Sequence, residues 1–418
     1  MSLRAIADGS WLTQERLRVI PRMLLALVIV ITLAWIFLSQ GYVDPNGRPL
    51  GTDFSNVYAA GKLTLQGTPQ AAYDPRLQHA MEKTVFGGRD VPFYGWHYPP
   101  QFLLVAAVLA LLPYGWALFA WMALTLPAYL AAVRAILPRS DVLIPAAAFP
   151  AVFVNLGHGQ NGFLTAALLG GGLVLLERRP VMAGLLIGLL AYKPQFGVLI
   201  PLVLAVSGRW TAFMAAAATV VASCIVTLAL FGSGIWEAFF ASTEFTRSVV
   251  LEAGGTGWQK IQSIFAALRM WGAGIETAYS GQLLLALGVA ASLVWLWRSQ
   301  AAFALKAAAL ATGSLLATPY VLDYDLVVLG VAIAFFAAHG LRHGFRSWEI
   351  SGLAAAWCIP LVARSLGGAL NLPFGLMALL ALYFLTLRRA ALDRAAASAP
   401  EPASHDPASQ GRESLAEA

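Results

Sequence analysis

The fourteen residues Pro99-Pro100-Gln101-Phe102-Leu103-Leu104-Val105-Ala106-Ala107-Val108-Leu109-Ala110-Leu111-Leu112 decide how the chain is threaded. They are apolar, but a segment closed by Pro-Pro at one end and Pro113 at the other is short for a bilayer span, which takes about 20 residues as a helix. Counted as a span, it would reverse the side of every later loop. Treated as a hairpin-like excursion from one face, it leaves twelve apolar runs, at 21–39, 115–136, 142–157, 162–176, 180–192, 195–206, 211–231, 276–297, 303–318, 326–340, 349–364 and 372–388. The two runs that flank Lys193 are as short as the excluded segment, so length alone does not choose. Charge does. With the excursion excluded, 17 of the 27 Lys and Arg residues fall on the side of the N-terminus and the opposite face is close to neutral. The positive-inside rule then places both termini in the cytoplasm.

The composition agrees with a chain built for lipid. Of its 418 residues, 59% are hydrophobic and 11% charged, against roughly 45–50% and 25% in soluble proteins. We therefore expect an all-α polytopic membrane protein with about 12 transmembrane helices. Residues 1–21 form a cytoplasmic N-terminus, residues 22–390 the membrane domain, with long outer loops at 41–98 and 232–275, and residues 395–418 a disordered cytoplasmic tail rich in Ala, Ser, Pro and Glu. The net charge of +6 is an orientation signal; no basic groove interleaved with aromatics suggests a nucleic-acid partner. Cys224 and Cys358 lie inside apolar runs, which leaves no disulfide framework and no thiolate metal site. The absence of a glycine-rich phosphate loop, of His-Glu-x-x-His and of paired Cys-x-x-Cys argues against an ATP-driven pump and a zinc enzyme.

Five polar clusters gather on the outer face in this threading. The first is Gly51-Thr52-Asp53-Phe54, where Phe54, Val57, Tyr58, Gly61 and Leu65 recur at the spacing of an amphipathic helix lying along a surface. Asp53 stands at its start, as an N-cap or as a working carboxylate. Trp96-His97-Tyr98-Pro99-Pro100-Gln101 reads as an aromatic belt or as part of a site. Gly157-His158-Gly159-Gln160-Asn161 is a turn whose polar side chains could recognise a sugar or a phosphate. Lys193, in Tyr192-Lys193-Pro194-Gln195, interrupts an apolar stretch where a lipid-facing lysine costs a few kcal/mol. It reads either as a lysine snorkelling to headgroups or as a cation for a phosphate. In Thr318-Pro319-Tyr320-Val321-Leu322-Asp323-Tyr324-Asp325 the two acids stand where a helix resumes, and acids there also favour the dipole. Arg364, Lys260 and Arg269 read either as further candidate phosphate contacts or as the charges of solvated loops.

Together these motifs make a pattern. Gly-Thr-Asp-Phe in the first outer loop, His-Tyr-Pro-Pro, Gly-His-Gly-Gln-Asn and Ala-Tyr-Lys-Pro-Gln resemble glycosyltransferase family 87, the bacterial polyprenyl-phosphate-mannose-dependent mannosyltransferases of the GT-C fold. The resemblance spans residues 20–390 or thereabouts. It implies a GT-C-like helical bundle, with Asp53 as general base and with Gly157–Asn161 and Lys193–Gln195 lining the donor-lipid site. One departure stands out: after the Thr318-Pro319 turn, where the family pattern leads us to expect a Trp and His pair, this chain carries Asp323-Tyr324-Asp325. A role of a family histidine there is thereby put in question.

The expected chemistry is transfer of a hexose, mannose by resemblance, from a polyprenyl-phosphate sugar to an envelope glycolipid or glycan on the outer face of a bacterial inner membrane. Asp53 takes the acceptor's proton, and Lys193 or an arginine meets the charge on the leaving phosphate. His97, Tyr98, His158, Gln160, Asn161, Lys193, Gln195, Asp323, Tyr324, Asp325 and Arg364 are the expected binding residues. No metal ligand set and no cofactor beyond the donor lipid are expected; the partners are membrane lipids, donor and acceptor. Two other classes stay open: a secondary transporter, which should carry internal repeats and mid-span charges, and a non-catalytic scaffold for envelope assembly, in which the polar turns would tolerate alanine.

Overall fold

The computed structural model describes residues 2–398. The described residues are helical, with three isolated β-bridges and no strand. Among the described residues, six helices are long and apolar enough to cross a membrane: Gln14–Leu38, Tyr114–Ile136, Trp210–Phe231, Ile275–Arg298, Asp323–His343 and Phe374–Ala397. Two bent pairs, Ser140–Ala147 with Pro150–His158 and Glu349–Leu361 with Ala363–Leu370, raise the number to eight if each is one span. The remaining four of the twelve apolar runs are helices too, but Gly162–Leu175, Pro180–Tyr192, Pro194–Val206 and Phe303–Leu316 fall below spanning length. At about 1.5 Å per residue they are each near 20 Å long. Gln101–Leu109, inside the stretch that set the threading, has nine residues and lies half buried among its neighbours.

Burial sorts these helices into an interior and a rim. Only 6% of the apolar window of Gln14–Leu38, and the same of Trp210–Phe231, is buried, against 78% for Asp323–His343. The first two therefore present leucines, isoleucines and valines on all sides, which only a lipid solvent tolerates, while the third is the axis around which the rest pack. Without a hydrophobic drive between helices in lipid, close backbone approach supplies the contact. Gly184 and Gly188, four apart, let helix Pro180–Leu189 lie against Trp210–Phe231: a methyl at Gly188 would stand 2.7 Å from the Ala216 carbonyl and 2.5 Å from Thr219 Cβ.

The two ends of the bundle differ in chemistry. One gathers arginines. There Arg389, 2% exposed, pairs with Glu349 at 2.7 Å and Asp393 at 2.9 Å, and Arg209 pairs with Glu177 at 3.2 Å. The other end is covered by the two long loops, which fold into short helices, Phe54–Leu65 and Pro75–Val85 from the first, Gly234–Phe245 and Ile264–Met270 from the second. Gln262 N–H donates to the Val321 carbonyl at 2.7 Å, tying the second loop to the segment that leads into Asp323.

Three expectations change. Helix Phe54–Leu65 does not lie along a surface: Phe54 through Gly61 and Leu63 are buried, because its polar face meets the next helix, Gln78 Nε2 donating to the Asn56 carbonyl at 2.9 Å. The first helix begins at Gln14, capped by Thr13, so part of the expected N-terminal segment belongs to it. The last helix runs on to Ser398, and the rest of the expected tail lies outside the described residues.

Candidate active site

Asp53 is at the N-cap position of its helix, yet its carboxylate caps nothing. Instead its backbone N–H donates to the His158 carbonyl at 3.0 Å, its Oδ2 accepts from Gln160 Nε2 at 3.0 Å, and its Oδ1 stands 3.8 Å from His158 Nδ1. The carboxylate is 21% exposed, so it is held by two neighbours and still reachable. The first loop and the turn at 157–161 are thus brought together across more than a hundred residues.

That turn has a reason to be where it is. Helix Pro150–His158 ends at Gly159 in the left-handed region, φ 62°, and a Cβ there would meet Phe54 Cβ at 2.6 Å. Asn155 clamps the far side, donating to the Gln160 carbonyl at 2.9 Å and accepting from Gly162 N–H at 2.8 Å. The Gln160 amide can point only one way: Oε1 accepts from the Tyr98 hydroxyl at 3.0 Å and from Asn161 N–H at 3.1 Å, which turns the NH₂ group to Asp53. His158 Nδ1 lies 2.6 Å from Thr52 Oγ1. Asn161 is buried with both side-chain atoms unpartnered.

Beside this carboxylate opens a cleft. Asp53, His97, Tyr98, Gln160, Lys193, Gln195 and Tyr324 line it, so seven of the expected site residues share one wall-to-wall space. Aromatic rings dominate the rest of the lining: Phe93, Tyr94, Tyr192 and Tyr320, with Asn56 and Thr256. Such flat apolar faces with a few hydroxyls suit a pyranose ring, one face of which is C–H and the edge hydroxyl. His97 Nδ1 is 2.8 Å from Thr246 Oγ1, and desolvation pushes its imidazole down to about 4, so it is neutral at pH 7.

Lys193 corrects the reading of it as a free cation. Its Nζ is 2.6 Å from Asp325 Oδ1, with the two side chains 4% and 2% exposed, and it lies 4.9 Å from the centre of the Tyr324 ring. Neither headgroup snorkelling nor an open phosphate contact fits a lysine so enclosed. Asp325 in turn accepts from Leu322 N–H at 3.0 Å. Asp323 is the acid nearer the surface, 3.8 Å from the Arg364 guanidinium, with Oδ2 lacking a hydrogen bond. Lys260, on the turn Trp258–Lys260, is held below the ordinary lysine range by burial and then by the neighbouring Arg364. Arg364 and Lys260 are therefore two neighbouring cations beside Asp323, outside the residues that line the cleft. Arg269 instead spends its guanidinium on the Ala273 and Glu252 carbonyls.

Sequence reasoning passed over Phe93 and Tyr94, although Phe93-Tyr94-Gly95-Trp96-His97-Tyr98 is dense enough in rings to have suggested a wall. It also passed over Glu82, which nothing in its local sequence distinguishes from a solvated helix acid. Among the described residues no three His, Cys, Asp or Glu side chains form a group that could hold a metal ion.

The comparisons with known proteins bear on this geometry. The protein-family model of glycosyltransferase family 87 matches residues 96–319, which contain His97, Tyr98, the 157–161 turn and Lys193–Gln195, and leave Asp53, Asp323 and Arg364 outside. No curated protein matches the chain, and no solved structure does. With more than half of its length matched and its apolar helices in place, the chain belongs to glycosyltransferase family 87 and is a membrane glycosyltransferase.

Proposed function

We propose that the protein transfers a hexose, mannose by family likeness, from a polyprenyl-phosphate sugar to a hydroxyl of an envelope glycolipid or glycan. The reaction takes place on the extracytoplasmic side of a bacterial inner membrane, with both termini in the cytoplasm and the bundle taken as GT-C-like. The arginine-rich end of the molecule supports this orientation. No cofactor is invoked beyond the donor lipid, and the partners are that lipid, the acceptor and the surrounding membrane.

The observation that carries the reading is the state of Asp53: a carboxylate at a helix start that declines the cap, receives one amide N–H and faces an aromatic cleft. The acceptor oxygen attacks the anomeric carbon while the bond from that carbon to the phosphate oxygen breaks. Asp53 takes the hydroxyl proton, the configuration inverts, and polyprenyl phosphate departs with the bonding pair. Gln160 leaves one carboxylate oxygen free to receive that proton. Because Lys193 is neutralised by Asp325, the growing phosphate charge falls to Arg364 and Lys260.

Asp53→Asn tests this. An amide preserves the size and the hydrogen bond from Gln160 in one rotamer but accepts no proton at neutral pH. The variant should insert and bind donor normally and lose on the order of 10²–10⁴ in transfer, the usual contribution of a positioned base. Transfer at the parental rate by the folded variant removes Asp53 from the role and leaves Asp323 to be tried next.

A further inference from the structure

Helix Pro75–Val85 buries a carboxyl that takes no part in the chemistry above. Glu82 is 0% exposed, its Oε2 accepts from the Tyr94 backbone N–H at 3.2 Å, and its Oε1 has no donor. One turn earlier on the same face, Gln78 leaves its Oε1 without a donor after giving its amide N–H to Asn56, whose own Oδ1 is also without one. Three buried acceptor oxygens thus belong to one helix pair, and an ionised carboxylate would add a charge where donors are already short. The groups that face Glu82 are Asp53 and Ser55 from helix Phe54–Leu65, Tyr94 from the cleft wall and Tyr114 from helix Tyr114–Ile136. None is a cation. Lys83, its neighbour, turns outward to Asp90 at 2.7 Å.

We propose that Glu82 is kept as a neutral carboxylic acid and acts as a positioning residue for the transfer reaction. Its carbonyl oxygen takes the Tyr94 N–H and so holds the Phe93–Tyr98 wall against the helix that carries Asp53. Its retained proton spares Asp53 a second negative charge beside it, and supplies a donor to a seam where three acceptor oxygens go without one. This rests on the reading of Asp53 as the base. Burial, reinforced by the charge of Asp53 and opposed by the Tyr94 N–H and the Ser55 hydroxyl, pushes the Glu82 carboxyl up to about 9, which agrees with the geometry. An unfolded chain ionises the same group near 4.5. Between those values folding takes up a proton, so the contribution of Glu82 to stability is complete at low pH and is lost as pH rises toward 9.

Glutamine has the shape and hydrogen-bonding pattern of the neutral acid, and alanine has neither. In the solubilised full chain at pH 7, infrared difference spectroscopy should find a protonated-carboxyl band that Glu82→Gln removes. The melting midpoint of Glu82→Gln should move ahead of the parent's progressively from pH 5 to pH 9. In transfer, Glu82→Gln should stay within about threefold of the parent while Glu82→Ala loses roughly tenfold or more, the scale of one buried hydrogen bond and its misplaced wall. The proposal is overturned if the Gln variant loses no protonated-carboxyl band, if its midpoint runs parallel to the parent's across that pH range, or if it is as slow as the Ala variant. The first two measurements need no substrate, so they judge Glu82 even if Asp53→Asn proves active and the transfer reading fails.

Discussion

Lys193 and Asp325 are withdrawn from water together, and the energetics of such a pair separate its two possible uses. Removing one partner strands a buried charge, a cost of about 3–5 kcal/mol, whereas replacing both with neutral residues is often nearly free. Lys193→Met should therefore depress the melting temperature sharply. The double variant Lys193→Met/Asp325→Asn should recover most of it and keep transfer within about tenfold, because the pair shapes the cleft floor and the phosphate is met elsewhere. A stable but inactive double variant would return Lys193 to the phosphate. Both residues, like Asp53, could be picked from the sequence because each interrupts or abuts an apolar run where a charge demands a reason. Their partners could not, since Lys193 and Asp325 lie 132 positions apart and Gln160 and Asp53 107. Without that knowledge Lys193 looked free, and Glu82 looked ordinary.

Between the residues and the whole stand the helices of the first long loop, and their packing is set by one close approach. Gly61 lies against Gln101–Leu109, where a methyl on it would overlap the Ala106 carbonyl and approach the Ala110 methyl at 2.7 Å. A backbone carbonyl cannot swing aside as a side chain does. Gly61→Ala should cost about 1–3 kcal/mol of stability by overpacking and shift the helix of Asp53, lowering transfer as well. Gly157→Ala is the control, since a methyl there meets nothing within 4 Å and the position is helical; thermal unfolding of the two variants side by side checks the contrast. The same contact explains what sequence pattern missed. The apolar stripe of residues 54–65 was correctly helical, but a stripe reports only which side must avoid water. It does not report that the polar side will be covered by Pro75–Val85 as well. The twelve apolar runs were likewise legible as helices from hydropathy, while their lengths and bends depend on prolines and glycines whose consequences are tertiary.

For the molecule as a whole, the contrast between an arginine-rich end and a cleft-bearing end is a statement about sides. In a chain whose Cys224 and Cys358 are replaced, a single cysteine at exposed Arg89 should react with an impermeant reagent in intact cells, and one at exposed Arg178 or Arg342 only after permeabilisation. Reaction of all three positions in intact cells would make Pro99–Leu112 a span after all, since only the later positions would change sides. The short helices add something that labelling does not see. Gly162–Leu175, Pro180–Tyr192 and Pro194–Val206 put Asn161 and Lys193 at their cleft ends, and at about 20 Å each they fall well short of a hydrocarbon layer of about 30 Å. If their other ends are level with those of the longer helices, the proposed transfer would lie in a dimple some way beneath the headgroup plane. A donor carried on a lipid, as proposed, would reach that depth by sinking along its own tail, whereas a water-borne acceptor would have to be lowered in. The thickness of the surrounding bilayer would thereby become a setting of the proposed reaction, fixing how far down its acceptor must travel.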